Sequence, residues 1–313
     1  MKNLFLSVFA VFFLISCVSA GGGKTGGGDT PRTQPENLVA KGSTVEKLAD
    51  GFQFTEGPAS DSRGNLYFTD LPASKIHRLS ANGTLSTFIE SSGNANGLFF
   101  DKKGNLLACQ GGEGRIVSYD PKGKMTVLAD KYNGKRFNQP NDLWIDPEGG
   151  VYFSDPIYGR GDNVQGGYHV YYLNPAHNKV IRVIDNMKTP NGLVGPKDGK
   201  TLYVTDWGSK KTYKYAINSD GTLSNQEFFA PVACDGMTID SEGNVYLTAS
   251  SVEIYDPAGK KIKEIKVPSA NERPTNVAFG GNDGKTLYIT TAPTGRGTIS
   301  VYSIRMNVQG VYY

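Results

Sequence analysis

The sequence contains few of the residues that form metal–thiolate sites or disulfide frameworks. Its 313 residues include three histidines and three cysteines, Cys17, Cys109 and Cys234. There is no Cys-x-x-Cys pair and no Cys/His cluster, which argues against a zinc site of that kind. Cys17 lies in an N-terminal targeting segment, and the repeat described below places the other two on opposite sides of a ring. We therefore expect Cys109 and Cys234 to be buried free thiols.

Clusters of basic residues and long apolar runs are also scarce. The formal net charge is +3, and no Lys/Arg block could read a phosphate backbone, so nucleic acid is not an expected partner. One apolar run, residues 4–14, follows Lys2 and is too short to cross a bilayer as a mature helix. It predicts a signal peptide over residues 1–20. No second apolar stretch is present to form a transmembrane span.

Two processing routes are open for this signal segment. Leu14-Ile15-Ser16-Cys17 resembles a bacterial lipobox, in which Cys17 becomes a lipidated first residue, whereas Val18-Ser19-Ala20 fits an ordinary cleavage site. A Gly-rich stretch follows, and we expect residues 21–44 to be a flexible tether before a folded domain at residues 45–313. Either route predicts an exported protein of the periplasm or cell envelope, with membrane attachment only through a lipid on Cys17.

A glycine-centred repeat runs through the rest of the chain. Glycine (39 residues) and tyrosine (17) are abundant, while charged residues make up 20%, a balance that favours short strands and tight turns. A turn before a Leu/Val-rich strand recurs at about the length of a four-stranded propeller blade. The turns contain Gly64, Gly104, Gly149, Gly199, Gly243 and Gly284. The sequence therefore predicts an all-β, six-bladed β-propeller around a central channel, with the strand near residues 45–48 completing the last blade.

An oxygen-bearing side chain lies at the same spacing before each repeat glycine. These residues are Glu56, Asn96, Asn141, Asn191, Asp235 and Asn276. Equivalent positions of a propeller face one another around its channel, so six side-chain oxygens should converge there. Such oxygens are the ligands of hard cations, and two carboxylates neutralise a divalent ion. The pattern predicts a bound divalent metal, first of all Ca²⁺, with Mg²⁺, Mn²⁺ or Zn²⁺ as alternatives.

A simpler interpretation is that these residues only make turns. Asn96-Gly97, Asn191-Gly192 and Asp235-Gly236 are turn dipeptides in their own right. Against this, Glu56-Gly57 is not a favoured turn pair, and turns would accept Ser or Gly somewhere in the series.

In these segments the chain resembles the regucalcin/gluconolactonase (SMP-30/gluconolactonase/LRE-like) family, calcium-dependent lactonases with a six-bladed propeller. The resemblance runs from about Phe52 to the end of the chain, and its bacterial gluconolactonase members are the most similar. The matching segments are Thr55-Glu56-Gly57-Pro58, Asn96-Gly97-Leu98, Phe137-Asn138-Gln139-Pro140-Asn141-Asp142, Thr189-Pro190-Asn191-Gly192-Leu193, Asp235-Gly236-Met237 and Pro274-Thr275-Asn276-Val277-Ala278-Phe279-Gly280-Gly281.

The resemblance implies roles for individual residues. It places metal ligands at Glu56, Asn191 and Asp235, and a metal or substrate contact at Asn141. Animal-type members carry an arginine two residues before that asparagine to bind sugar hydroxyls, but here the position is Gln139. This departure leaves their substrate preference without support in this chain.

The implied reaction is the hydrolysis of a sugar lactone such as gluconolactone. A channel-bound cation polarises the carbonyl and stabilises the oxyanion. Asp235 is the preferred general base and Asp142 the second candidate, because a carboxylate is ionised at neutral pH. The remaining residues expected to contact the small-molecule substrate are Asn96, Asn141, Gln139, Tyr158 and Asn276.

Two other functions are compatible with the same pattern. One is a calcium propeller hydrolase that acts on aryl lactones or phosphotriesters. The other is a non-catalytic binding propeller of the cell envelope with a structural calcium, because fold alone does not define activity. Hydrolysis of lactones, aryl esters and organophosphates, each with and without chelator, separates the three.

Overall fold

The structure, a computed structural model, describes residues 33–312. Apart from one short 3-10 helix, η1 (Pro35–Asn37), the regular elements of these residues are β-strands. Six four-stranded antiparallel sheets form the blades of a ring, so the predicted six-bladed β-propeller is confirmed. In this part of the chain, no helix has the length and apolar character needed to cross a membrane.

The first strand of the chain, β1 (Glu46–Phe52), belongs to the last blade. Blade 1 contains β2–β5, which span Thr55–Ser60, Leu66–Asp70, Lys75–Leu79 and Leu85–Ile89. Blade 2 contains β6–β9, which span Ala95–Phe100, Leu106–Gln110, Arg115–Tyr119 and Met125–Ala129. A hairpin of β10 (Lys131–Tyr132) and β11 (Lys135–Arg136) follows. Blade 3 contains β12–β15, which span Leu143–Ile145, Val151–Asp155, His169–Leu173 and Val180–Ile184.

The second half of the ring repeats this plan. Blade 4 contains β16–β19, which span Pro190–Val194, Thr201–Asp206, Lys211–Ile217 and Leu223–Ala230. Blade 5 contains β20–β23, which span Met237–Ile239, Val245–Thr248, Val252–Tyr255 and Lys261–Ile265. Blade 6 contains β24–β26, which span Glu272–Gly280, Thr286–Pro293 and Ile299–Arg305, and is completed by β1.

The ring is closed by pairing between the two ends of the folded chain. Strand β1 lies antiparallel to β26, with Glu46 opposite Ser303 and Phe52 opposite Ile299. The last blade therefore takes its outermost strand from the start of the domain, as the strand-like sequence near residues 45–48 predicts. This pairing gives the outer edge of β26 its backbone hydrogen-bond partner.

The segment before β1 packs on the propeller. Leu38 is fully buried in a core cluster of blades 5 and 6, and Val39 forms a β-bridge with Met306. The backbone N–H of Thr33 donates to Glu242 Oε1 over 2.8 Å. The prediction that the flexible tether continues to residue 44 was therefore wrong for residues 33–44, because apolar burial and backbone pairing fix them. The predicted signal peptide, lipobox and residues 21–32 lie outside the described residues.

The repeat glycines occupy one conformation in the turn after each inner strand. In blade 1, Asp61 Oδ1 accepts hydrogen bonds from the backbone N–H groups of Arg63 and Asn65, and Gly64 has a φ of 78°. A positive φ of this size is accessible to glycine without steric cost, whereas other L-residues are strained there. Asp101, Asp146 and Asp240 close the equivalent turns of blades 2, 3 and 5 in the same way, whereas blades 4 and 6 have Pro196 and Gly281 at this position and keep only the glycine.

The core lies between neighbouring blades, where apolar faces of adjacent sheets meet. Its fully buried large side chains include Phe68, Trp144, Tyr152 and Tyr246. Cys109 on β7 and Cys234 just before β20 are buried and free, in blades 2 and 5 on opposite sides of the ring. This confirms the expectation of two buried thiols.

Candidate functional site

The six oxygen-bearing positions lie at or near the beginning of the six inner strands, at one end of the channel. Glu56, Asn96 and Asn191 are the second residues of β2, β6 and β16. Asn141 and Asp235 lie just before β12 and β20, and Asn276 lies within β24. We call this end of the channel the ring end. Every blade contributes one residue there, so the repeat register correctly predicted that the six residues lie at the same height along the channel.

Four of these side chains meet in two direct contacts between neighbouring blades. Asn276 Nδ2 donates to Glu56 Oε2 over 3.0 Å, which joins blades 6 and 1. Asn191 Nδ2 donates to Asp235 Oδ1 over 2.8 Å, which joins blades 4 and 5. Glu56, Asn191 and Asn276 are at most 6% exposed, so the contacts are largely shielded from solvent. The arrangement concentrates amide and carboxylate groups at one place.

The glycines that follow these residues permit close approach between inner strands. A Cβ atom added to Gly57 would overlap the backbone oxygen of Asn96 in the next blade. A Cβ added to Gly236 would overlap the side chain of Asn276. Only glycine therefore lets the inner strands pack at this distance.

This geometry bears on the simpler interpretation that the dipeptides form turns. Glu56-Gly57, Asn96-Gly97 and Asn191-Gly192 all lie inside β-strands rather than in turns. The turn interpretation was therefore wrong for Asn96-Gly97 and Asn191-Gly192, whereas Asp235-Gly236 lies just before β20, outside the strand. The glycine of each pair is present because the inner strand packs closely against the adjacent blade.

Burial and mutual repulsion dominate the electrostatics of the site. Burial raises the pKa of Glu56 well above its usual range, and the negative charges of Asp235 and Asp142 raise it further. Burial also raises the pKa of Asp235, but the guanidinium of Arg273 and the amide of Asn191 act in the opposite direction. Two carboxylates in close proximity with little water favour protonation of one of them or binding of a cation.

Asp142 is the third carboxylate of this group. Burial raises its pKa to about 7, and hydrogen bonds from the backbone N–H of Leu143 and from the Asn276 side chain partly oppose the rise. The Leu143 N–H donates to Asp142 Oδ1 over 2.9 Å. Asp142 and Asn276 also line the cavity that extends towards the other end of the channel. Asp142 therefore lies at the floor of the site.

Arg273 is a residue of the site that the sequence analysis missed. Its Nη1 donates to Asp235 Oδ2 over 2.9 Å and to the Pro274 carbonyl oxygen over 3.2 Å. The side chain is 29% exposed, and that of Asp235 is 13% exposed. Arg273 precedes the matching segment that starts at Pro274, but it has no counterpart in the repeat register. No periodic signal could therefore have identified it.

The long loop of blade 3 brings Tyr158 to the same end of the channel. The Tyr158 ring is 38% exposed. Burial, followed by the charge of Asp235, raises the pKa of its hydroxyl, which a hydrogen bond with the Asn191 side chain lowers. The phenol group thus faces Asn191 and Asp235.

Gln139 supports this loop. Its Oε1 accepts from the backbone N–H of Tyr158 over 3.0 Å, and its Nε2 donates to the Arg160 carbonyl oxygen over 2.9 Å. Both ends of the amide are therefore engaged by the loop. Asn96 and Asn141 lie in the ring register without a side-chain hydrogen bond to the four residues that meet.

The residues of the site belong to the region that a family model matches. The SMP-30/gluconolactonase/LRE-like region is matched over residues 54–293, which contain all six ring positions. The chain belongs to this family. The resemblance expected from the sequence segments is therefore confirmed.

Named relatives of this family member are lactonases. It is similar to a gluconolactonase of Zymomonas mobilis, with 30% identity over 283 residues that cover 79% of each chain. It is also similar to a pentonolactonase of Haloferax volcanii, with 30% identity over 263 residues, or 80% of this chain and 85% of the relative. The solved structure of a Xanthomonas campestris gluconolactonase superposes with a TM-score of 0.77 at 26% identity, covering 86% of this chain and 91% of the other.

The donor atoms at the ring end fit a hard divalent cation. Among residues 33–312, no group of three or more His, Cys, Asp and Glu side chains is arranged to hold a metal. Ligands for an ion would therefore be two carboxylates, Glu56 and Asp235, together with amide oxygens and water. This oxygen-only set suits calcium. Burial, followed by the charges of Asp235 and Asp142, raises the pKa of Glu56, and a positive ion would favour its ionised form.

Proposed function

We propose that this protein hydrolyses lactones of sugar acids with the help of a divalent cation, Ca²⁺ in the first place, held at the ring end of the channel. The lactone-hydrolase part is supported by relatives at 30% identity that are named for gluconolactone and pentonolactone hydrolysis. The choice of substrate within this class and the metal are supported by the chemistry of the site.

The observation that carries the proposal is the meeting of four side chains from four blades. Glu56 with Asn276, and Asn191 with Asp235, form the two contacts between neighbouring blades. Residues so far apart in the sequence converge because the propeller brings the starts of its inner strands together. A site with two carboxylates, amide groups and a partly exposed mouth suits a hydroxyl-bearing substrate and a hydrolytic water.

The proposed metal ligands are Glu56, Asn191 and Asp235, with Asn141 as a metal or substrate contact. When bound, a divalent cation supplies Lewis-acid polarisation of the lactone carbonyl and compensates charge at the developing oxyanion. The contribution of the chain itself is to orient Asp235. Asn191 fixes one of its oxygens and Arg273 the other, and both favour the ionised carboxylate.

Asp235 acts as the general base in this proposal. Its carboxylate accepts a proton from water as the water oxygen forms a bond to the lactone carbonyl carbon. The ring C–O bond then breaks, and the leaving alkoxide takes up a proton, which gives the open hydroxy acid. Asp142 is the second candidate, but its position at the floor and its bond from Leu143 place it farther from the mouth. Asn96, Asn276 and Tyr158 are proposed substrate contacts.

A lactone panel tests this function directly. The full-length protein is assayed with glucono-δ-lactone, a pentonolactone, an aryl lactone and an organophosphate after chelation, and again after calcium addition. We expect hydrolysis of the sugar lactones that falls on chelation and returns with calcium. Because lactones also open spontaneously, Asp235→Asn protein at the same concentration provides the background rate. Hydrolysis of the organophosphate alone, or metal binding without any hydrolysis, would contradict the proposal.

We also propose that the protein is exported, on the basis of residues 1–20 of its sequence. Membrane attachment is proposed only through a lipid on Cys17. Mass spectrometry of the mature N-terminus distinguishes a diacylated Cys17 from a chain that begins after Ala20. An intact Met1 on the protein recovered from cells would contradict export by either route.

A further inference from the structure

Large apolar side chains remain exposed at few places in the described part of the chain. They are Leu85, Met125, Val127, Tyr158, Trp207 and Phe228. Four of them lie on β5, β9 and β19, the outermost strands of their blades. Tyr158 and Trp207 instead follow β13 and β17 at the ring end, and each is 38% exposed. The two exposed aromatic residues that do not lie on an outermost strand, Tyr158 and Trp207, are therefore both beside the site.

Arg273 packs against one of these two aromatic residues, Trp207. Its guanidinium carbon lies 5.9 Å from the ring centroid of Trp207, a cation–π distance. Its Nη1 is bound to Asp235 and to the Pro274 carbonyl oxygen. In the region covered by residues 33–312, its Nε and Nη2 have no hydrogen-bond partner among protein atoms. The guanidinium is thus fixed through Nη1, and its Nε and Nη2 can donate hydrogen bonds to a ligand at the mouth of the channel.

Gln139, on the opposite side of the channel, has no comparable free donor. Blade 3 lies across the ring from blade 6, and its Gln139 uses both ends of its amide to hold the loop of Tyr158. Gln139 thereby positions an aromatic ring at the mouth rather than a donor. Arg273, in contrast, is a cationic side chain that is held in place and still has free hydrogen-bond donors.

We propose that Arg273 and Trp207 form a specificity subsite that selects lactones with hydroxyl groups on the ring carbons. Arg273 donates from Nε and Nη2 to these hydroxyls, while the faces of Trp207 and Tyr158 cover the C–H side of the sugar ring. Aromatic rings beside fixed polar donors form a common arrangement for orienting a small polar ligand. The inference rests on the proposed lactonase function and deepens it by naming the residues that choose the substrate.

The test compares a hydroxylated and an unsubstituted lactone. Steady-state kinetics are measured for Arg273→Gln and wild type with glucono-δ-lactone and δ-valerolactone. Because Arg273 also holds Asp235, kcat should fall in Arg273→Gln to the same extent for both lactones. For glucono-δ-lactone we expect KM to rise as well, by about 10- to 100-fold, the range expected for losing hydrogen bonds from a charged donor. For δ-valerolactone, which has no hydroxyls, KM should stay within about twofold of the wild-type value, a change well below the effect of one such hydrogen bond.

The alternative role for Arg273 is to position Asp235 only. In that case kcat falls for both lactones to the same extent while the KM for glucono-δ-lactone keeps its wild-type value, and this result would overturn the subsite. Arg273→Lys separates the roles further, because lysine restores a positive charge beside Asp235 but not the planar fork of donors. We expect its KM for glucono-δ-lactone to remain close to that of Arg273→Gln. A return to the wild-type KM would contradict the proposal.

Two further variants complete the experiment. Trp207→Leu should raise the KM for glucono-δ-lactone several-fold, by about the contribution of one aromatic contact, and it tests the subsite even if Arg273 variants are unstable. Arg305→Gln is the matched control, since it removes another Arg–Asp pair of blade 6, with Asp283, away from the channel. Its kinetics should equal those of wild type.

The two proposals can fail separately. If wild-type protein hydrolyses neither lactone, the proposed function fails and the subsite with it. If wild type hydrolyses both lactones and Arg273→Gln leaves the KM for glucono-δ-lactone unchanged, only the subsite is contradicted.

Discussion

The two ends of the central channel are built from the same six inner strands but have opposite chemistry. At the ring end, Glu56, Asp142 and Asp235 lie within electrostatic reach of one another, and Arg273 pairs with Asp235. Beyond the floor formed by Asp142 and Asn276, a cavity of about 990 Å³ extends towards the opposite end. Its lining is richest in apolar and aromatic residues, among them Phe99, Phe100, Trp144, Val194, Phe279 and Tyr312, and also includes charged residues such as Asp61, Lys102 and Lys197.

This difference shows how one strand serves two purposes. Strand β12 follows Asn141 and Asp142 at the ring end and continues into Leu143 and Trp144, which are buried in the core. The carboxylates of Glu56 and Asp235 are tolerated at the ring end because each accepts a hydrogen bond from the asparagine amide of a neighbouring blade. The remainder of each inner strand stabilises the ring through apolar contact. We therefore expect substitutions at the ring end to affect activity, and those farther along the channel to affect stability.

The largest expected effect is that of Asp235→Asn. Loss of the proposed base should lower kcat for a sugar lactone by about a thousandfold or more, the upper range for general-base catalysis. The thermal midpoint should change little, since asparagine keeps the shape and can still bond with Asn191. Kinetics and a circular dichroism melt on the same sample check both parts. A variant with near-normal kcat would remove Asp235 from the mechanism.

Trp144→Ala should have the converse effect. Trp144 is fully buried and stacks on Tyr152 with ring centroids 5.8 Å apart. Removing a buried Trp side chain costs about 3–5 kcal/mol of unfolding free energy. The measurement is denaturant unfolding, with kcat per folded molecule determined at low temperature. A stable variant with much reduced kcat would show that the two ends are not separable in this way.

Glu56→Gln should weaken calcium binding and, in the chelated protein, increase stability. Calcium affinity, measured by calorimetry, should fall about 10- to 100-fold with the loss of a charged ligand. Chelated protein should become more stable, because the pKa of Glu56 is raised in the folded state. Wild type then loses stability from this group as pH rises above about 4.3, the pKa of an unperturbed glutamate, whereas the variant loses only the contributions of Asp142 and Asp235.

The difference between the two melting temperatures should consequently widen with increasing pH. Melts of both chelated proteins from pH 4 to pH 8 test this sign. Equal calcium affinity in the two proteins would exclude Glu56 as a ligand, whatever the melts show.

The smallest expected effect is that of Tyr312→Phe at the apolar end. The Tyr312 hydroxyl bonds to the Gly195 carbonyl oxygen, and its ring packs edge-on against Phe99 at 5.0 Å. Phenylalanine keeps the ring contact and removes one hydrogen bond, which costs about 1 kcal/mol. This corresponds to a fall of about 2 °C in Tm for a domain of this size. Lactone kinetics should be unchanged, and a substantial loss of kcat would link this end to the site.

Local signals account for the parts of the molecule that were predicted correctly. The turn at Gly64 and its equivalents needs a positive φ, so glycine recurs in every blade and reveals the blade count. The register of Glu56 and Asp235 relative to these glycines is equally local. Residues 33–44 were assigned wrongly because their order comes from distant partners, such as the contact of Val39 with Met306.

The sequence by itself determined the fold class, the number of blades and the level in the ring at which oxygen-bearing side chains gather, because each depends on spacing along the chain. Only the tertiary structure decided that Asn276 contacts Glu56, that Gln139 holds the loop of Tyr158, and that Arg273 pairs with Asp235. Contacts of this kind join separate blades or loops, and neither strand periodicity nor turn chemistry specifies which side chains meet once the ring closes.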